Sequence, residues 1–342
     1  MRVALVFNLI RYDKVTQANL DTIAEYDSEE TIDALTSALE SGGHEVTRLE
    51  ADRNFPENIS KLKGQIDIVF NIAEGLRGEC RESQVPVLLE MLGIPYTGSG
   101  PLALAVCLDK VHTKEVLVAN GLPTGAWKAF DTPDAPVDAA PPYPCVVKLR
   151  NQGSSMGLSP ASKVRNETEL KKQLNKLYDK YRYPMFAEEY LPGREFTIPV
   201  IGNSPPRALP VVEIVYPETD GVRMRFFEPD EWVAEKLEIE PVKQNVTTVC
   251  PAEVDENLRE KLNELAVKTY KALGCRDWCR MEFRMDREGK PRILELNPIA
   301  GIDPSYWLPR SARSAGMSYD NLINTILDSA IARHGKFSQR RV

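Results

Sequence analysis

The residues whose types and spacing could do chemistry lie in the stretch 279–301. From Cys279 to Met285 the chain alternates: Arg280, Glu282 and Arg284 point one way, and Met281, Phe283 and Met285 the other. Arg292 to Asn297 alternates too, with Glu295 and Asn297 on one face and Leu294 and Leu296 on the other. The run Asp286-Arg287-Glu288-Gly289-Lys290 between them reads as a turn. Centring it on Glu288-Gly289 sets Glu282 opposite Glu295 and Arg280 opposite Asn297, with Cβ atoms about 5 Å apart. Two carboxylates and an amide held together are costly unless a cation joins them, and these hard oxygen ligands suit Mg²⁺. Two readings stand at this point: a Mg²⁺ site, or a half-exposed hairpin whose charges face water.

The elements that must position this hairpin follow from composition and pattern. The chain has 342 residues, 42% apolar and 27% charged, which is ordinary for a folded soluble protein and long enough for two or three domains. A net charge of −7 demotes binding to nucleic acid through phosphate neutralisation. No apolar run approaches the ~18 residues of a membrane span. Val3 to Ile10 contains Asn8 and is followed by Arg11, Tyr12 and Asp13, so it reads as a buried strand and not as a signal peptide. Six scattered cysteines without a Cys-x2-Cys pair, and three distant histidines, support neither a zinc site nor a disulfide framework. Reduced thiols in the cytoplasm are the expectation.

Residues 3–8 and 66–71 read as strands, each ending in Phe-Asn, with a helix from Ser28 to Leu39 between them, capped by Asp27 or Ser28 and stopped by Gly42-Gly43. That order implies a parallel α/β layer, whose ligands gather beyond the C-terminal strand ends. Helices are expected over 84–92 and 109–120, with a domain boundary in the turn-dense 94–101 between them. The proline-rich 132–144 reads as a loop feeding a strand at 145–148, and 151–157 as a flexible loop of hydroxyls and free N–H groups. A charged helix over 166–181, a strand over 185–191 and an amphipathic helix over 255–273 follow. The stretch 216–247 is polar and irregular.

Motifs in order now resemble the D-alanine–D-alanine ligase family of ATP-grasp enzymes over about residues 66–330. They are Leu92-Gly-Ile-Pro-Tyr-Thr-Gly-Ser99, Leu108-Asp-Lys110 with Thr113-Lys114, Gly121-Leu-Pro-Thr124 and Val147-Lys148. Gly153-Ser-Ser155 with Gly157, Glu188 to Leu191 and Glu195-Phe-Thr197 continue the series. It ends with Gly274-Cys275, Arg280, Leu294-Glu295-x-Asn297, Gly301 and Leu308-Pro-Arg-Ser-Ala-Arg313. The resemblance implies an α/β chain, α+β in its C-terminal half, with an ATP-grasp fold of three subdomains and ATP held between two. Residues 1–100 would form the N-terminal substrate domain, 101–186 the central subdomain, 187–330 the C-terminal subdomain with Mg²⁺ and catalytic residues, and 331–342 a frayed, solvated tail.

By position, Lys110 and Lys148 resemble the lysines that hold ATP phosphates. Gly153, Ser154 and Ser155 resemble the phosphate-covering loop, with Ser155 among the catalytic residues. Glu188, Glu189, Tyr190 and Leu191 resemble the hinge that reads adenine by backbone hydrogen bonds, and Glu195 the carboxylate that grips the ribose. Glu282, Glu295 and Asn297 resemble the ligands of two Mg²⁺ ions, with Glu282 where Asp is common. Arg280 and the Gly301 N–H resemble the oxyanion-stabilising pair. The implied reaction is attack of a substrate carboxylate on the γ-phosphate, giving an acyl phosphate, then attack by an amine. Loops 150–157 and 216–247 are the expected lids. The resemblance also implies a homodimer.

Departures cluster on substrate contacts. Where the family usually carries His-Gly and then Gly-Glu-Asp-Gly, this chain reads Asn71-Ile-Ala-Glu74-Gly75 and then Gly78-Glu79-Cys80-Arg81. Glu79 matches and Glu74 replaces the histidine. Glu74 either favours a second cationic group on a substrate or pairs with Arg77 or Arg81. Tyr306, with Ser305 adjacent, stands in place of the serine that binds a substrate carboxylate. Lys236 is the nearest counterpart of a mobile-loop lysine, and Glu25 that of the glutamate holding the first substrate's amine. The reading is therefore an ATP-dependent carboxylate–amine ligase acting on small amino-acid-like substrates, with altered specificity. The alternatives are a true D-alanine–D-alanine ligase of peptidoglycan synthesis, a glutathione-synthetase-like ligase or a non-catalytic ATP-binding module. No Gly-x-Gly-x-x-Gly follows the first strand, which disfavours a dinucleotide oxidoreductase.

Overall fold

In the computed structural model, residues 1–11, 14–16, 25–217, 224 and 246–338 are described, the last three by their backbone alone. Three sheets organise them. The first is built from β1 (Arg2–Phe7), α1 (Glu29–Ser41), β2 (Glu45–Glu50), α2 (Phe55–Leu62), β3 (Ile68–Asn71) and α3 (Gln84–Leu92), all strands parallel in the order β2-β1-β3. Ser28, not Asp27, caps α1: its Oγ accepts from the Thr31 N–H at 3.3 Å. Ile32, Leu35 and Leu39 bury one face of the helix against Val3, Leu5, Ile68 and Phe70. The expected Asn pair does sit at the strand ends, where Asn8 Oδ1 accepts from the Gly75 N–H at 2.9 Å and Asn71 Oδ1 from the Ala73 N–H at 3.3 Å.

Next come α4 (Pro101–Leu108) and α5 (Lys110–Ala119), then the second sheet: β4 (Trp127–Phe130), β5 (Cys145–Leu149), β6 (Lys163–Val164), α6 (Glu167–Tyr181) and β7 (Met185–Glu189), order β4-β7-β5-β6. Asp109 ends α4 and caps α5, its Oδ1 accepting from the Val111 and His112 N–H groups. The sequence reading missed α4 because Leu102 to Leu108 is apolar on all sides and shows no helical period. The expected 186/187 boundary cuts through β7, whose hydrogen bonds to β4 and β5 hold its whole length in the second sheet.

The third sheet takes β8 (Glu195–Ile201), β9 (Arg207–Ala208), β10 (Val212–Val215), β11 (Thr247–Val249), β12 (Trp278–Met285) and β13 (Pro291–Asn297), with α7 (Glu256–Ala272) packed on it. Strand β8 lies at the centre between β10 and β12, yet Pro199 inside it hid it from a reading that treats proline as a strand breaker. The chain closes with α8 (Trp307–Ser314) and α9 (Tyr319–Ser338). The latter returns to the first sheet, burying Leu322, Ile323, Ile326 and Leu327 against α1. The expected frayed tail from 331 is thus corrected: Arg333, with a side chain 9% exposed, pairs with the buried Asp277. Lys236, the 218–223 and 225–245 parts of the expected lid, and Arg340 and Arg341 fall outside the described residues. Among the described residues no helix is long and apolar enough to cross a membrane.

Candidate active site

The β12–β13 hairpin sets Glu282 opposite Glu295 and Arg280 opposite Asn297, as the alternation predicts. The ladder shifts between Glu282 and Phe283, so that Phe283 faces Ile293 and Leu294 is the extra residue of a bulge. Ile293 and Leu296 therefore both enter the core, while Leu294 turns to the opposite, cleft-lining side. The expected pairing of Leu294 with Leu296 on one buried face is corrected by that insertion.

A cavity of about 540 Å³ opens between the second and third sheets and reaches the strand ends of the first. Its centre is charged. Glu188, from β7, meets Lys148 Nζ at 2.5 Å and Lys114 Nζ at 2.9 Å. Burial alone would push its carboxyl up, but the two lysines outweigh that and hold it at about 2. Lys114 is fully buried and also donates to Thr124 Oγ1 at 2.8 Å. The Thr113-Lys114 motif was its only signal in the sequence. Lys110 Nζ lies 3.3 Å from Glu295 Oε2 and donates to the Gln152 carbonyl at 2.6 Å. Burial raises and Lys110 and Lys148 lower the Glu295 carboxyl, with a net downward shift.

Arg280 Nε donates to Glu282 Oε1 at 2.7 Å, and its guanidinium sits 4.9 Å over the Trp307 ring. Glu282 Oε2 is buried without a hydrogen-bond partner, and burial pushes this carboxyl up against the pull of Arg280. Among the described residues no three His, Cys, Asp or Glu side chains converge on one point. The donor set here is two carboxylates and an amide, which suits an ion that draws its remaining oxygens from phosphates and water. The orphaned Oε2 fits such an ion.

One end of the cavity is apolar and aromatic. Tyr190 packs with Val146, Leu158 and Met224. Glu195 accepts from Tyr216 Oη at 3.0 Å and lies 3.4 Å from Arg284 Nη1. Arg284, absent from the expected site, is buried, with Nε and Nη2 unpartnered. The hinge expectation needs correction in part. Glu188 is held on both sides in the sheet, the Glu189 N–H donates to Ala126 O at 2.9 Å and the Tyr190 N–H to Pro144 O at 3.2 Å. Only Leu191, past the strand end, keeps its N–H clear among the described residues.

The other end is acidic. Glu25, Asp27, Glu74 and Glu82 line it. Arg81 pairs with Glu25 at 2.6 Å and donates to the Asn151 carbonyl at 2.9 Å, so it is not the partner expected for Glu74. Glu79 is exposed and lies outside the cavity lining; Glu82, three residues on, occupies that place. Ser305 and Tyr306 stand at the mouth, Ser305 Oγ bonded to Asp303 and Tyr306 53% exposed. Gly301 is required by that ring: a Cβ there would lie 2.4 Å from Tyr306 Cδ2. Gly153 packs as tightly, since its Cβ would meet Glu25 Oε1 at 2.1 Å. Ser154 and Ser155 take φ of 44° and 57°, a strained left-handed conformation for residues with a Cβ.

The family model for the D-ala D-ala ligase C-terminus matches residues 116–328. A D-alanine–D-alanine ligase of Carboxydothermus hydrogenoformans is 33% identical over 306 residues, 87% of this chain and 91% of that one. The chain belongs to the D-alanine–D-alanine ligase family. Members of this family are ADP-forming ATP-grasp ligases, and the chain is an enzyme of that kind. An uncharacterized protein of Sinorhizobium fredii is equally similar, 33% identical over 312 residues and 88% of each chain. The fold is that of the D-alanine–D-alanine ligase of Bacillus anthracis solved with ATP, with a TM-score of 0.74 at 22% identity over 98% of this chain and 99% of that one.

Proposed function

We propose that this ligase joins two amino-acid-like substrates through an acyl phosphate formed from ATP, with a specificity altered from that of D-alanine–D-alanine ligases. The observation that carries the chemistry is the opposed Glu282 and Glu295 beside Asn297, with Glu282 Oε2 buried and unpartnered. These three residues would hold Mg²⁺, as two ions, and Mg²⁺ would supply charge neutralisation at the β- and γ-phosphates. Lys110 and Lys148 hold phosphate oxygens, and the Gly153-Ser154-Ser155 backbone covers them. The apolar end takes adenine against Tyr190, with the Leu191 N–H as reader and Glu195 on the ribose. A substrate carboxylate oxygen attacks the γ-phosphorus and ADP leaves. Arg280 and the Gly301 N–H then stabilise the oxyanion as the amine attacks the acyl carbon and phosphate departs. Glu25 and Glu74 face the first substrate's amine, and Ser305 and Tyr306 the second substrate. The subdomains are read as 1–100, 101–189 and 190–338, one per sheet. Cytoplasmic location and a homodimer complete the proposal.

The test is phosphate release from ATP and Mg²⁺ against single and paired L- and D-amino acids, with mass spectrometry of the products. A dipeptide mass dependent on both partners is the expected result. Arg280→Met should lower kcat about 100- to 1,000-fold, the loss seen for single oxyanion donors. Nucleotide binding with no acid-dependent phosphate release would overturn the reading. Efficient turnover of D-alanine alone would remove the altered specificity.

A further inference from the structure

The acidic end of the cavity holds more carboxyl groups than one substrate ammonium can satisfy. Of its carboxylates, only Glu25 is paired, with Arg81 at 2.6 Å. Arg81 itself is not part of the lining, and its second nitrogen is committed to the Asn151 carbonyl. Among the described residues, the carboxylates of Asp27, Glu74 and Glu82 make no hydrogen bond and no ion pair. Glu82 is 8% exposed. Burial is the largest cause that drives all three upward in pKa, Asp27 and Glu82 to about 7; neighbouring acids add to it, and the pull of Arg81 on Glu74 and Glu82 does not offset it. Buried charge of this kind is costly unless it is neutralised or paired.

From this arrangement we infer that the amino acid bound at the first-sheet end carries a second cationic group on its side chain, as a diamino acid does. The inference rests on the ligase reading above. That reading sends the substrate's α-carboxylate to the charged centre, toward Lys110, Lys148 and Arg280. The α-ammonium then remains near Glu25, and its three donors can serve one or two carboxylates. A neutral side chain would leave Glu74 and Glu82 with only the distant pull of Arg81, whose guanidinium is already bonded to Glu25 and to the Asn151 carbonyl. A side-chain ammonium supplies the missing donors. A site built of buried groups awaiting a partner also rejects an analogue that lacks it, far more strongly than an apolar pocket rejects a size mismatch.

The test compares isosteric pairs: ornithine against norleucine, and 2,3-diaminopropionate against 2-aminobutyrate, in both enantiomers. Acid-dependent phosphate release is followed with ATP and Mg²⁺, and binding by calorimetry with a non-hydrolysable ATP analogue present. The expected result is at least a tenfold higher kcat/KM, and tighter binding, for one diamino acid over its neutral isostere. Glu82→Gln and Glu74→Gln should each reduce that ratio at least tenfold. Equal or better use of the neutral isosteres, with phosphate release intact, overturns the inference and leaves the ligase reading standing. No phosphate release with any of these acids, while other amino acids support it, also overturns the inference; none with any L- or D-amino acid, single or paired, brings down the acyl-phosphate reading and this inference with it.

Discussion

Glu188 shows how a single carboxylate can organise a site. Its carboxyl is held at about 2 by Lys114 and Lys148, so it stays charged at every working pH and fixes both ammonium groups in place. Lys148 is then positioned at the cavity wall while Lys114 is sealed beneath it, fully buried. Lys114→Met would leave Glu188 buried with one cation, and removal of one partner of a buried pair costs about 3–5 kcal/mol. Urea denaturation should register that loss. The double variant Lys114→Met with Glu188→Gln should recover a measurable part of it, because no uncompensated charge remains.

Glu82 behaves in the opposite sense. Its carboxyl is raised from 4.5 to about 7, chiefly by burial, so the folded state holds a proton that the unfolded chain has lost between those values. Stability from this group is full below pH 4.5 and is lost as pH rises toward 7, a change on the order of 3 kcal/mol. Glu82→Gln keeps the neutral form at all pH. The variant should therefore be more stable than the parent at pH 8 and equal to it at pH 4, as read by melting temperature across that range without substrate. Glu295, Asn297 and Lys148, singled out by type and position in the sequence, do line the cavity. Glu82 was not legible there, because only burial gives an ordinary surface residue type its chemical character; Arg284 was legible as a neighbour on the Arg280–Glu282 face, but not its burial beside Glu195.

At the scale of elements, the β12–β13 hairpin was legible as far as its alternation held. Its predicted pairs at Glu282 and Arg280 are present, yet the ladder nearer the turn is offset by the bulge at Leu294. Sequence alternation cannot announce an inserted residue when both neighbours, Ile293 and Glu295, still look like strand. The structure places Ile293 in the core at 0% exposure and Leu294 in the cleft wall. Leu294→Ser should thus cost less than about 1 kcal/mol, whereas Ile293→Ala should cost about 2–4 kcal/mol through the cavity it leaves. Strict alternation predicts the reverse order, and chemical denaturation of the two variants decides between them. The parallel α/β class of the first sheet, with β1, α1 and β3, and the capped helices α5, α6 and α7 were equally readable, whereas β2 and α2, between α1 and β3, were not. Helix α4, uniformly apolar, and strand β8, interrupted by Pro199, lacked the periodic contrast that such reading depends on.

At the scale of the molecule, Asp277 joins parts that are far apart in sequence. It is fully buried, with φ +65°, and accepts from the Gly98 N–H at 2.7 Å, Asn203 Nδ2 at 2.6 Å and Arg333 Nη2 at 2.8 Å. Arg333 reaches on to the Tyr96 carbonyl at 2.9 Å. The next residue, Trp278, stacks on Phe70 of the first sheet with centroids 6.0 Å apart. One carboxylate thus ties the first sheet's exit loop and the third sheet to the last helix. That link sets the acidic end of the cavity against the charged centre, since Glu74 and Glu82 follow β3 while Glu282 and Glu295 lie on β12 and β13. Asp277→Asn keeps the shape but strands the Arg333 guanidinium, at a cost of about 3–5 kcal/mol. Because the link is between units, its loss should also divide their unfolding. Far-ultraviolet dichroism and Trp fluorescence should give coincident transitions in the parent and separate ones in the variant. A variant that is destabilised but still melts in one coincident step would mean that the apolar contacts of α9 with α1 and β3 suffice to couple the sheets.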